Sequence, residues 1–99
     1  MPDVVESSAL TAAQKKDLLH RLARIEGQLR GVQKLITQAA TPADCDAVAQ
    51  QMAAARKALD RSFVQLLTNT MQTQSANAAT LPEAQAAAAK LAAMLDKFA

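Results

Sequence analysis

Leu18, Leu22, Ile25, Leu29, Val32 and Ile36 recur at alternating spacings of four and three. That is a heptad seam held for nearly three repeats, and it predicts an amphipathic helix that wants another helix against it. Leu19 and Leu35 widen the stripe. Thr11 and Gln14 fit the S/T-x-x-E/Q capping box, which places the helix start near Ala12. Gly27 and Gly31 lie off the seam, where each costs about 1 kcal/mol of helix propensity relative to Ala.

The pattern breaks at Ala39-Ala40-Thr41-Pro42. Thr41 can cap a second helix and Pro42 can fill its first position. That helix is predicted to end near Met71. Its main stripe is Cys45, Val48, Met52, Ala55, Leu59 and Leu66, and a second stripe of Ala49, Phe63, Leu67 and Met71 adjoins it. Two stripes require cover on two sides. Residues 72–79 are small and polar and read as a connection. Thr80 and Glu83 repeat the capping box with Pro82 in the first turn, so a third helix should run to about Lys97 with Ala88, Leu91, Leu95 and Phe98 on its apolar side. Residues 1–10 show no period and read as a flexible N-terminal arm, leaving residues 11–99 as one helical domain.

Composition agrees. The chain has 99 residues, two glycines and three prolines, too little turn material for an all-β fold. The expectation is an all-α protein with two long antiparallel helices and a shorter C-terminal one. Such rods are long for one small core, so apolar stripes would stay wet in a single chain. A homo-oligomer is expected, most simply a dimer whose second helices pack together. Phe63 and Phe98 are the only aromatic rings, which argues against base-stacking platforms for single-stranded nucleic acid.

Net charge is only +2, but it is unevenly spread. Lys15, Lys16, Arg21, Arg24, Arg30 and Lys34 crowd one segment that holds only Asp17 and Glu26 as acids. A local basic excess in a nearly neutral chain fits one polyanion-facing surface, and equally an ordinary solvated helix face. No signal peptide or apolar run of membrane-spanning length is visible, and a single cysteine excludes an intrachain disulfide. A reducing cytoplasm is the expected location.

No enzymatic constellation is present, and no cofactor is implied. One His, one Cys and no glycine-rich phosphate loop leave little for catalysis. His20 stands among basic neighbours and reads as a solvent-facing or interfacial side chain. Cys45 sits in the first turns of the second helix, where the helix dipole favours thiolate. Asp44 and Asp46 oppose that effect and are themselves explained by the dipole. Cys45 also falls on the apolar seam, and from the residues alone it reads first as a small buried hydrophobe.

The segment Arg21-Leu-Ala-Arg-Ile-Glu-Gly-Gln28-Leu-Arg-Gly31 resembles the first-helix block of the CsoR/RcnR/FrmR repressors, which respond to copper, to nickel or cobalt, or to formaldehyde. Asp44-Cys45 followed by Gln50-Gln51-Met52-Ala53-Ala54-Ala55-Arg56-Lys57-Ala58-Leu59 is similar to the family's second helix, at a matching separation. The likeness runs from about Lys15 to the C-terminus. It implies a dimer with a four-helix-bundle core, two such dimers in a tetramer, and binding of double-stranded operator DNA through basic surfaces. Arg21, Arg24 and Arg56 take the family's DNA-contacting places, with Lys57, Lys15 and Lys16 beside them and Arg30 and Lys34 as weaker candidates.

Cys45 corresponds to the family's sensory cysteine. Metal sensors add a histidine and a further cysteine or histidine where this chain has Thr70 and Gln74, neither of which is a soft ligand. The formaldehyde type joins its cysteine to an amino-terminal proline through one carbon. Pro2 would supply that amine once Met1 is removed, although the arm is longer than is usual for that type and Thr70 replaces its histidine. The resemblance therefore implies a repressor released from DNA by a small effector at Cys45, with formaldehyde or another electrophile ahead of metal. Two alternatives remain: a metal bound through Cys45 and non-standard ligands, or a helical interaction module without a DNA role.

Overall fold

In the computed structural model, which describes residues 9–98, three threonines open three helices by the same device. α1 spans Ala12–Gln38, α2 spans Pro42–Asn77 and α3 spans Leu81–Phe98. At the first, the Gln14 N–H donates to Thr11 Oγ1 at 3.0 Å and the Thr11 N–H donates back to Gln14 Oε1 at 2.9 Å. At the second, Thr41 Oγ1 accepts from the Asp44 N–H at 3.2 Å, while Asp44 Oδ2 accepts from the N–H groups of Ala40 and Thr41 at 2.9 and 3.1 Å. At the third, Thr80 Oγ1 accepts from the Glu83 N–H at 3.3 Å and Glu83 Oε1 accepts from the Ala79 N–H at 2.7 Å. Each box satisfies N–H groups that the first helical turn leaves without an intrahelical partner. Among the described residues there is no strand, so the all-α expectation holds. Pro2 and the rest of the expected arm through Ser8 lie outside the described residues.

One boundary is corrected. α2 continues to Asn77 instead of ending near Met71. Residues 72–77 are polar but contain neither Gly nor Pro, so nothing forces the backbone out of the helix. Thr73 also has a reason to stay: its buried hydroxyl donates to Gln14 Oε1 at 3.0 Å.

The chain divides into two compact units. One is Asp17–Val64, a helical hairpin of α1 with the first part of α2, turned by the short connection at 39–41. Its interior takes Leu18, Ile25 and Val32 from α1, every seventh residue, and Ala55 and Ser62 from α2. The other unit joins the chain up to Lys16 with the chain from Gln65 onward. There Leu67 and Leu91 are buried with Asn69 and Thr73. Asn69 is 4% exposed, and its Oδ1 accepts from Gln65 Nε2 at 2.7 Å.

Only half of each expected seam is covered within the chain. Leu22, Leu29 and Ile36 are 40%, 47% and 55% exposed. Met52, Leu59 and Phe63 on α2 are also exposed. Fully burying one such side chain stabilises by about 1.5–3 kcal/mol, so these faces favour association. On α2 the covered line is Val48, Ala55, Ser62 and Asn69, partly polar and spaced by sevens. Small side chains there let the partner helix approach closely.

Candidate nucleic-acid interface and effector site

Within the Asp17–Val64 unit, α1 and α2 border an open concavity of about 180 Å³. Arg21, Arg24 and Gln28 reach it from α1, at the three- and four-residue spacings that put side chains on one helical face. Arg61 and Ser62 reach it from α2. Ile25 and Ala58 form its apolar base, which fixes the rows that carry the charges.

The three guanidiniums are not equivalent. Arg21 Nε donates to Asp17 Oδ2 at 2.9 Å, one turn earlier on the same helix. Arg24 and Arg61 are exposed and form no ion pair among the described residues. The pocket thus carries three positive charges with one carboxylate beside them. Planar guanidinium forks in such an array suit phosphate oxygens. Ser62 is 5% exposed and its hydroxyl is committed to the Ala58 carbonyl at 3.1 Å, so it shapes the wall and does not offer its proton.

Of the basic residues singled out from the sequence, the structure brings Arg21 and Arg24 together. Arg56 and Lys57 are exposed on α2 but do not line the pocket, and Lys15 and Lys16 belong to the other unit. Arg30 and Lys34 are exposed farther along α1. Arg61 and Gln28 were not singled out. The signal for Arg61 was its place one turn after Lys57 and directly before Ser62, a buried polar residue that an apolar-only reading of the seam passes over.

Cys45 is exposed and unbridged. Its N–H donates to the Thr41 carbonyl at 3.2 Å, so it stands in the opening turn of α2. Counting about 100° per residue, it shares a face with Met52, Leu59 and Phe63, all exposed. The thiol therefore heads an uncovered apolar line, and the buried-hydrophobe reading does not describe it within this chain. The neighbouring Asp44 carboxyl is held below its ordinary pKa, first by the Ala40 N–H and then by the N–H and hydroxyl of Thr41. It is a cap whose Oδ2 already accepts two backbone N–H groups. His20 is exposed, in keeping with the solvent-facing expectation.

Within one chain, the described residues do not assemble a soft-metal centre. Cys45 is the chain's one thiol. Thr70 is half-buried and its hydroxyl donates to the Leu66 carbonyl at 2.9 Å. Gln74, the other position where a metal sensor would hold a ligand, offers only an amide. Among the described residues no three His, Cys, Asp or Glu side chains gather. No helix among them is long and apolar enough to cross a membrane.

Comparison with known families gives a match over residues 14–97 to the model described as metal-sensitive transcriptional repressor. No curated protein and no solved structure matches significantly.

Proposed function

Because the chain belongs to the family of metal-sensitive transcriptional repressors, we propose that its operator contact is the Arg21–Arg24–Arg61 pocket and that its release signal acts at Cys45. Membership makes it a DNA-binding, oligomeric regulator and not an enzyme. The observation that carries the DNA assignment is the convergence of three guanidiniums from two helices on one concavity. Lys57, one turn before Arg61, extends the basic surface along α2, Arg56 carries its charge on the Cys45 side of the same helix, and Lys15 and Lys16 add charge at the start of α1. Backbone phosphates are bound by charge, so affinity should fall steeply with salt.

The effector reading rests on an exposed lone thiol whose expected metal partners are a threonine and a glutamine. Formaldehyde, or another small electrophile, needs only nucleophiles. The Pro2 amine adds to the aldehyde carbon, water leaves from the resulting carbinolamine, and the Cys45 thiolate adds to the iminium carbon. The product is an N–CH2–S bridge, with one water released per formaldehyde and a mass gain of about 12 Da. The bridge unloads the operator only by favouring the released arrangement of the helices over the bound one.

Two measurements test this. Arg21→Ala with Arg24→Ala should abolish salt-dependent binding to operator duplex, and retained binding removes the proposed surface. Intact-mass analysis after formaldehyde should show the bridge, absent in Cys45→Ala, together with loss of DNA binding. Absence of an adduct, or an adduct that survives Cys45→Ala, rejects the effector assignment. Copper or nickel binding that depends on Cys45 and lowers DNA affinity would favour the metal alternative.

A further inference from the structure

We propose that the Arg21–Arg24–Arg61 pocket is also a binding site for a small tetrahedral dianion, inorganic phosphate or the phosphoryl head of a phosphomonoester, which competes with the operator. The competition rests on the DNA reading above, whereas the anion site itself does not.

Size sets the ligand class. Sites for drug-sized molecules and cofactors occupy about 300–1,000 Å³, whereas this concavity is about 180 Å³. A phosphoryl group fits within it, and any remainder of a phosphomonoester would lie outside, beyond its open mouth.

Charge sets the valence. Three guanidiniums with the Asp17 carboxylate on Arg21 leave two uncompensated positive charges. A phosphomonoester carries about −1.5 to −2 at neutral pH. Arg24 and Arg61 stand on opposite walls, so they can fork onto different oxygens of one tetrahedral group. The Gln28 amide at the rim adds a neutral donor. A monovalent halide matches neither the charge nor the separate donors. The site thus distinguishes a dianion from bulk salt, while general screening acts on all exposed charges together.

The same guanidiniums are those assigned to operator phosphates, so a bound dianion and a DNA phosphate exclude each other. The repressor would then hold DNA less tightly when phosphate or phosphorylated metabolites are abundant, independently of Cys45.

The experiment uses the full chain without DNA. Phosphate is titrated calorimetrically at about pH 7.5, where it is largely dianionic, at an ionic strength held constant with sodium chloride. Saturable binding of one anion per protomer is expected. Arg24→Gln and Arg61→Gln should each weaken it about tenfold or more, the scale of one lost charge-assisted hydrogen bond. Lys90→Gln removes the same charge from α3 and should leave binding unchanged. A parallel titration with glycerol phosphate separates the sources: tighter binding than phosphate identifies a metabolite head, and equal or weaker binding identifies free phosphate. Unsaturable heats matching those of chloride, or equal weakening by Lys90→Gln, overturn the proposal. A second arm measures operator release by phosphate against chloride at equal ionic strength. Wild-type protein that binds phosphate but never binds duplex refutes the DNA reading and leaves the anion site standing.

Discussion

If the Arg21–Arg24–Arg61 pocket is the operator contact proposed above, Asp17 restrains it through its ion pair with Arg21, and removing its charge should tighten DNA binding. It lies one turn before Arg21, with its Oδ2 2.9 Å from Arg21 Nε. The two side chains are 51% and 40% exposed, so the pair is largely solvent-screened and adds only about 0.2–1 kcal/mol to stability. Asp17→Asn should therefore leave folding almost unchanged. Its effect on DNA is larger because Arg21 no longer divides its donors between a carboxylate and a phosphate. One added phosphate contact steepens the plot of log affinity against log salt by about 0.9, or about 1.8 where two protomers face the duplex. Each such contact makes the variant's advantage over wild type shrink about threefold when salt rises fourfold. Fluorescence anisotropy with a labelled operator across a salt series reads both quantities. Asp96→Asn makes the same formal charge change on α3 and should leave the slope alone. An Asp17→Asn slope equal to that of wild type would show that Asp17 withholds no phosphate contact from Arg21, and the reasoning from the ion pair would be refuted.

Three further outcomes follow from contacts elsewhere. The N–H groups of Ala40 and Thr41 hold the Asp44 pKa below its ordinary value, so its stabilisation is fully present above the ordinary value and is lost as pH falls through the folded one. Urea midpoints should accordingly show a decline below about pH 4 that Asp44→Asn flattens, and an identical acid profile in the variant refutes the capping role. Gln14→Ala removes the acceptor used by both the Thr11 N–H and the buried Thr73 hydroxyl, at a cost of about 1–3 kcal/mol in denaturant melts at fixed protein concentration; adding Thr73→Val should recover part of it, and strict additivity would deny the contact. Leu29→Ser with Leu59→Ser should weaken self-association in sedimentation velocity, whereas an unchanged distribution means that these exposed side chains face no partner.

The helices were legible in the sequence because their starts are local chemistry. Each Thr-x-x-Gln, Thr-x-x-Asp or Thr-x-x-Glu box needs only neighbours three or four residues away. The end of α2 was less legible, since its continuation depends on Thr73 finding Gln14, a partner 59 residues distant. The seam was half legible. Leu18, Ile25 and Val32 are buried as the heptads require, but on α2 the covered positions include Ser62 and Asn69. Polar residues at core register carry no hydropathy signal; their local hydrogen bonds make burial tolerable. Of the candidate site, Arg21 and Arg24 were readable from a single turn of α1. Arg61 required knowing which face of α2 meets them, and that is tertiary information.

The layout of α2 constrains how a signal at Cys45 could reach the guanidiniums proposed to face the operator. Arg61 is sixteen residues later, which on a straight helix is about 24 Å along the axis and about 160° around it. An adduct at the thiol therefore cannot touch Arg61 or screen it directly. Arg56, by contrast, lies within about 20° of the Cys45 face, in the same line as exposed Met52, Leu59 and Phe63. A change that re-covers that apolar line must move α2 as a rod, because its backbone bonds hold the turns in fixed register. Rotation that buries more of the Met52–Phe63 line swings Arg61 on the opposite side by the same angle, out of register with Arg21 and Arg24 on α1. A hundredfold loss of operator affinity then requires about 2.7 kcal/mol of preference of the modified thiol for the rotated state. Burial of about one further apolar side chain supplies that much. On the proposed reading, Cys45 and the apolar stripe it heads act as one device, in which a small adduct at the thiol changes how the stripe packs against a partner.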